Sequence, residues 1–428
     1  MRSGGRLAAA IDLLDLIDGE GLADLIVRDY FKTRRYAGSG DRRAVGDIVY
    51  GVFRQRGELD WRLAAVGFEA GNRFRALLHQ MLSGAAIDWT DPHAPERPED
   101  VEMELLASAT AADMTDAPPA ARLGYPVWLE SEIEASFGSG RDAELAAALS
   151  GRAGTDLRVN TLKADRDSVV RELNTDGIGA AAHPLAPCGI RLDEPVRLEQ
   201  HRHYAEGLIE IQDGGSQIAG HLLGARPGER IADICAGAGG KTLLLAADMR
   251  NEGEILASDI DGRRLKRLQE RAARAGIGIL RTEAFDAAAP LPDGLAGTMD
   301  RVLIDAPCSG TGTWRRQPEA RWRLTEDRLR ELNAVQTALL DRASELLRPG
   351  GRLLYVTCSF LRSENETVIT DFLNRNPDYV VTPWREAAEA AGINLPLRCS
   401  DDDRFLRLSP LDHEVDSFFV AAVERRFR

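Results

Sequence analysis

RVLIDAPCSG, residues 301–310, is the stretch from which the fold can be read. Its apolar run, Val302, Leu303 and Ile304, gives way at once to Asp305, Ala306, Pro307 and Cys308. Ser309, Gly310, Thr311 and Gly312 follow, and these cannot prolong a strand. An apolar run that ends this sharply predicts a strand buried on both faces of a parallel sheet. In open α/β sheets ligands bind beyond the carboxyl ends of the strands, so Asp305 and Cys308 stand where a ligand would be met. GRLLYVTCS, 351–359, has the same form and delivers a second thiol, Cys358.

Around these two strands the alternation is regular. Strand ERIADICAG (229–237) precedes helix GKTLLLAADMR, and strand EILASDID (254–261) precedes helix GRRLKRLQERAARAG. Strand ILRTEAFDA (279–287) leads through a proline-rich loop into 301–310. A helix from about Glu326 to Leu347 is expected to stop at Arg348, Pro349, Gly350 and Gly351. After GRLLYVTCS come helix ENETVITDFLNRN and a last pair of strands, FLRLSP and DSFFVAAVE. Strands separated by such helices predict an α/β protein with a doubly wound, mostly parallel, Rossmann-like sheet. Upstream, LRVNTLKAD (157–165) and GLIEIQDGGSQIAGHLLG (207–224) bound a smaller α/β segment. Before that, Leu13, Leu14, Ile17, Leu25, Ile26, Val45, Ile48, Val49 and Val52 recur at helical spacing. DWTDPHAPERPED (88–100) reads as a loop, and helical pattern resumes from Val101 to about Ser150. Three domains are expected: helices over 1–145, a small α/β segment over 150–224, and the main α/β unit over 225–428.

At 428 residues the chain exceeds the ~250–300 at which a single core stops growing. It contains no apolar run near the ~20 residues of a membrane span and no apolar signal core, so a cytoplasmic protein is expected. Five cysteines without CxxC pairs argue against a disulfide framework or a zinc site, and no metal is expected. Cys188 and Cys399 lie in no motif and read as isolated thiols. A net charge of −14 opposes a generic nucleic-acid binder, so any nucleic-acid role needs a local basic face. Arg34, Arg35, Arg42, Arg43, Arg54 and Arg56 form one cluster, whose plain reading is a solvated helical face. Trp314, Arg315, Arg316, Arg321, Trp322 and Arg323 form another, interleaving aromatics with guanidinium groups as phosphate binding and base stacking would need.

Cys235, Ala236, Gly237, Ala238, Gly239, Gly240 and Lys241 form a glycine-rich turn from strand to helix, where backbone can approach a ligand closely. Asp259, 19 positions after Gly240, ends the next strand and can hold ribose hydroxyls, and Asp286 ends the third and can meet an adenine amino group. Together they describe an adenosine-containing cofactor. NAD and S-adenosylmethionine both fit, but the turn has neither the GxGxxG spacing nor the Walker pattern. A sulfonium needs no pyrophosphate cradle, which favours S-adenosylmethionine.

The cysteines point to a reaction class. C5 of a pyrimidine is a poor nucleophile until a thiolate adds at C6 and makes an enamine; a second thiol can then aid elimination, with an acid near N3. Asp305, Cys308 and Cys358 supply those groups, although burial as a small apolar residue is an ordinary fate for any single strand-end cysteine.

DICAGAGGKT, ASDID, DAPCSGTGTWRRQPEARW and YVTCSFLRSENE resemble the NOL1/NOP2/Sun family of RNA cytosine-5 methyltransferases, particularly its bacterial ribosomal RNA branch. LRVNTLKAD, IQDGGSQ and DSFFVAAV match its flanking motifs, so the resemblance covers about 155–428. It implies that Cys358 attacks C6 and that Cys308 assists product release. It also implies that Cys235 to Lys241, Asp259, Asp286 and Asp305 hold S-adenosylmethionine, with Asp305 also turned toward the base. The N-terminal helices resemble a NusB-like RNA-binding domain, and the small α/β segment is expected to contact RNA. A monomer acting on 16S ribosomal RNA is expected; transfer RNA, another base, or a non-catalytic assembly role are the alternatives. The chain departs from the family in two places. Gly237, Ala238, Gly239 and Gly240 stand where Ala-Pro-Gly-Gly is usual, removing a residue of locked φ and predicting a looser loop. Ser417 replaces the glycine of Asp-Gly-Phe-Phe.

Overall fold

The computed structural model describes residues 1–19, 23–138, 141–150, 153–286, 289–395 and 402–427. The chain forms two units, Met1–Gly151 with Trp314–Glu326, and Arg152–Thr313 with Asp327–Arg428. Cys399 and the last residue of the strand anticipated over 279–287 lie outside the described residues.

In the second unit, strands β1 (Thr155–Val159), β2 (Ala180–Ala182), β3 (Gly189–Leu192) and β4 (Ile209–Ile211) form an antiparallel sheet of order β2-β3-β1-β4. With helices Arg166–Thr175 and Arg202–Ala205 between them, this is the ferredoxin-like succession. The larger sheet comprises β5 (Arg230–Ile234), β6 (Glu254–Ser258), β7 (Leu280–Glu283), β8 (Met299–Asp305), β9 (Leu347–Thr357), β10 (Tyr379–Thr382), β11 (Leu406–Leu408) and β12 (Phe418–Arg425). Its order is β10-β12-β9-β8-β5-β6-β7, with β11 also on β12. β5 through β9 are parallel and β12 runs antiparallel between β9 and β10, so the sheet is Rossmann-like with a reversed edge. The strand order reverses between β5 and β8, which places the ligand crevice beyond their carboxyl ends.

The apolar run of β8 is buried on both sides, as a strand covered by helices requires. Val302 and Ile304 pack into one core with Leu339, Leu340 and Phe372; Leu303 packs into the other with Ile218, Leu244 and Val356. Helix Glu326–Leu346 stops where expected, but β9 starts at once, without an intervening loop. Leu347 pairs with Met299 and Arg352 with Arg301, so residues 348–351 bulge out opposite a single residue. β10 was not foreseen from the sequence: Tyr379, Val380 and Val381 are strand formers, but the run is only four residues long and ends on buried Thr382.

The first unit is helical, with Ser3–Asp18, Ser39–Ala65, Asn72–Leu82 and Asp100–Thr110 around a core that includes Leu13, Leu14, Val49, Val52 and Leu77. Leu25, part of the anticipated apolar stripe, is 44% exposed. The segment Trp314–Glu326 corrects the reading of its aromatic and arginine residues as an RNA-facing surface. Trp314, Arg315 and Arg321 are buried in this unit, and only Arg316 of the six is exposed. Arg321 donates to the carbonyls of Gly124 (2.8 Å) and Leu149 (2.5 Å), and Trp322 Nε1 to that of Phe53 (2.8 Å). Guanidinium groups next to aromatics satisfy buried backbone acceptors as readily as they bind phosphate, and Arg321 does the former.

Candidate active site

The glycine-rich turn begins where β5 ends. Cys235, Gly237 and Gly239 all take positive φ (69°, 57° and 85°), which turns the chain into helix Gly240–Asp248. A Cβ on Gly239 would lie 2.0 Å from Leu268 Cδ1, so helix Gly262–Ala275 can pack here only against glycine. On Gly237 a Cβ would meet nothing within 4 Å, which leaves the crevice side open. Arg271 Nη1 holds the carbonyl of Ala238 and Arg158 Nη1 that of Gly240, each at 2.5 Å, and Arg271 is anchored at 2.9 Å by buried Glu210. These two arginines brace the loop that lacks proline. Arg158, Glu210 and Arg271 escaped the sequence reading, because each acts on a partner tens of residues away.

Four carboxylates ring this turn. Asp259 accepts from the amides of Gly237 (2.9 Å) and Asp261 (2.8 Å). Asp305, half-exposed, pairs with Lys241 Nζ at 2.7 Å. Asp233 is buried; Oδ2 accepts from Thr242 at 2.5 Å, and Oδ1 has no partner. Burial, opposed by that bond and reinforced by Asp305, pushes its carboxyl up to about 7. Asp286 is exposed, yet with Asp259, Asp233 and Asp305 it lies in electrostatic range of Cys235. Burial first, then this negative field, raises the Cys235 thiol. Every cofactor candidate from the sequence is therefore gathered at one strand-end crevice. With the negative charge offset only by Lys241 among the nearby candidates, a ligand bearing a sulfonium and an amine fits, while a pyrophosphate does not.

The two thiols meet. Asp305 is opposite Val356, so the turns after β8 and β9 emerge together, and Cys308 Sγ lies 3.4 Å from Cys358 Sγ. The contact with Cys358, then burial, raises Cys308 well above the ordinary thiol range. Either sulfur can donate in this contact. The Cys358 carbonyl accepts from Gly312 N at 2.9 Å, where a Cβ would come 2.2 Å from the Ser417 carbonyl. Glu364, fully buried, accepts from Ser309 N (2.8 Å), Ser309 Oγ (2.5 Å) and Gln336 Nε2 (3.0 Å), while Gln336 also holds the Pro307 carbonyl at 2.9 Å. Asn365 accepts from Thr357 Oγ1 (2.6 Å) and donates to the Ser359 carbonyl (2.9 Å). Glu364 and Asn365 sit within YVTCSFLRSENE, so the signal was in the motif but their roles were not.

The profile of a family described as 16S rRNA methyltransferase RsmB/F matches residues 220–424, and that of the RsmF/B-like ferredoxin-like domain matches residues 125–199. Ribosomal RNA small subunit methyltransferase B of Xanthomonas campestris is 35% identical, across 70% of this chain and 66% of its own. The protein of that name from Sodalis glossinidius is 29% identical across 85% of this chain and 88% of its own. A solved methyltransferase homologue from Pyrococcus horikoshii is 30% identical, covering 72% of this chain and 98% of that one, with a TM-score of 0.59. With both profiles matched in order along the chain, it belongs to the RsmB/F family of methyltransferases.

Proposed function

We propose that this chain transfers a methyl group from S-adenosylmethionine to C5 of a cytosine in small-subunit ribosomal RNA, with Cys358 as nucleophile and Cys308 as the thiol that closes the covalent stage. The observation that carries this reading is the 3.4 Å approach of the two sulfurs at adjoining strand ends. The Cys358 thiolate adds at C6, the C5–C6 double bond opens, and the electron pair becomes available at C5. S-adenosylmethionine, when bound, supplies a methyl carbon activated by its sulfonium. Cys235 to Lys241, Asp259, Asp286 and Asp305 are the residues that would hold it. Lys241 fixes the Asp305 carboxylate, which we assign to the base edge near N3. Solvent water takes the C5 proton, the freed electron pair re-forms the C5–C6 double bond, and the C6–S bond breaks so that Cys358 departs as thiolate. The S–H of Cys308 faces that sulfur and stabilises it as it leaves. We assign RNA contact to the helical unit and the ferredoxin-like segment, and a cytoplasmic setting, where both thiols stay reduced.

Bisulfite sequencing after incubating the chain with S-adenosylmethionine and unmodified small-subunit ribosomal RNA tests this. One newly protected cytosine is expected. Protection in transfer RNA alone would move the substrate, and protection in neither RNA would overturn the proposal.

A further inference from the structure

The ferredoxin-like segment holds a histidine cluster that methyl transfer does not use. Asp176 directly follows helix Arg166–Thr175, and His201 directly precedes helix Arg202–Ala205, which carries His203. β2 and β3 lie between the two helices in sequence, so packing brings the cluster together. The two imidazole rings are nearly parallel, with an interplanar angle of 9° and centroids 4.9 Å apart. His203 is fully buried, His201 part-buried and Asp176 exposed. One ligand-type atom from each of these three residues lies within 4.8 Å of the other two.

The hydrogen bonds fix where the ring protons are. His203 Nε2 is 3.0 Å from Glu172 Oε2, and a carboxylate only accepts, so that nitrogen carries a proton. His201 Nδ1 accepts from the backbone N–H of His203 at 3.4 Å, which leaves the His201 proton on Nε2. Both Nδ1 atoms are then acceptors, yet they stand 3.1 Å apart. Two facing lone pairs at that distance call for a shared cation. A proton would join the two rings alone. A divalent ion also uses the Asp176 carboxylate, whose Oδ2 is 3.3 Å from His201 Nε2. Nitrogen ligands ~2.0–2.1 Å from a tetrahedral zinc stand about 3.3–3.4 Å from each other, close to the separation of the two Nδ1 atoms.

We infer that Asp176, His201 and His203 form a site for a divalent cation of the zinc class, bound through the two Nδ1 atoms and the Asp176 carboxylate, with water in the remaining position. Glu172 has the place of the carboxylate that receives the second ring N–H of a metal-bound histidine and sets its tautomer. Arg202 bridges Glu172 (3.1 Å) and Asp176 (3.3 Å) at the surface, and yields Asp176 to the ion. The bound ion clamps the end of one helix to the start of the next. The expectation of no metal came from cysteine spacing, which is blind to ligands of this kind.

Calorimetry of the full chain, stripped with a chelator and titrated with zinc chloride, tests this. Binding of one ion is expected, and His201→Ala and Asp176→Asn are each expected to weaken it at least about 10-fold. Cys308 and Cys358 are softer ligands that compete for zinc, so cobalt(II) chloride is titrated in parallel. Visible cobalt bands are expected without the near-ultraviolet charge-transfer band of a thiolate ligand. Cobalt bound only through thiolate overturns the inference, as does the lack of saturable binding of either ion, or an affinity unchanged in a folded variant. Asp176 is at the surface, so Asp176→Asn decides the matter if His201→Ala misfolds.

Discussion

The carboxylate of Glu364 grips Ser309 twice, at 2.8 Å from its backbone N–H and 2.5 Å from its hydroxyl. Ser309 adjoins Cys308, and Glu364 lies six residues after Cys358, so one buried acid ties the two thiol-bearing turns to each other. Glu364→Gln swaps an acceptor for an amide donor opposite donors. It is expected to lower kcat about 10- to 100-fold, with the KM for RNA nearly unchanged, because it displaces a reacting group without touching the RNA. Steady-state kinetics reads this directly, and an unchanged kcat would remove Glu364 from the positioning role.

Arg321, 1% exposed, feeds the carbonyls of Gly124 and Leu149. Arg321→Leu leaves those acceptors buried and unpaired, so the helical unit is expected to lose about 3 kcal/mol, read by chemical denaturation. The same variant, where folded, should keep the salt dependence of RNA binding. A slope reduced by about one would restore Arg321 as a phosphate contact.

The contrast between these residues shows what the sequence disclosed. β8 was legible because Val302, Leu303 and Ile304 are adjacent and continuous burial leaves an unbroken apolar run. The crevice was legible for a similar reason: its glycines and acids stand at strand ends, where topology alone sets their position. The passage of Trp314–Glu326 into the helical unit was not legible, because its partners, such as Phe53 and Gly124, are nearly two hundred or more residues away. Local pattern also could not separate a guanidinium that binds phosphate from one that caps carbonyls.

Asp233 offers a pH test. Its carboxyl is neutral in the fold up to about 7, whereas the unfolded chain ionises it near the ordinary 3.8. Between those values the unfolded state binds fewer protons, so this group's contribution to stability is full below 3.8 and is lost as pH rises through about 7. A shift of that size corresponds to at most about 4 kcal/mol. Asp233→Asn can still accept from Thr242 but cannot ionise, so it should gain stability relative to the parent at pH 8 and gain least near pH 4. Urea unfolding at the two pH values measures the difference. Equal effects at both would mean that Asp233 is ionised throughout.

The 3.4 Å pair of sulfurs assigns separate work to each thiol. If Cys358 forms the bond to C6, Cys358→Ala removes the first covalent step, and neither methylated RNA nor an adduct should form. Cys308→Ala leaves attack and methyl transfer possible but takes away the S–H that receives the departing Cys358 sulfur. Elimination then slows, and a protein–RNA complex resistant to denaturation should accumulate on a gel in the presence of S-adenosylmethionine. Both outcomes follow from splitting one difficult substitution into an addition and an elimination served by different groups. An adduct that accumulates with Cys358→Ala and vanishes with Cys308→Ala would reverse the roles, placing the nucleophile at the end of β8. Full activity in both variants would make the pair a structural contact, and the chemistry would have to start from Asp305 instead.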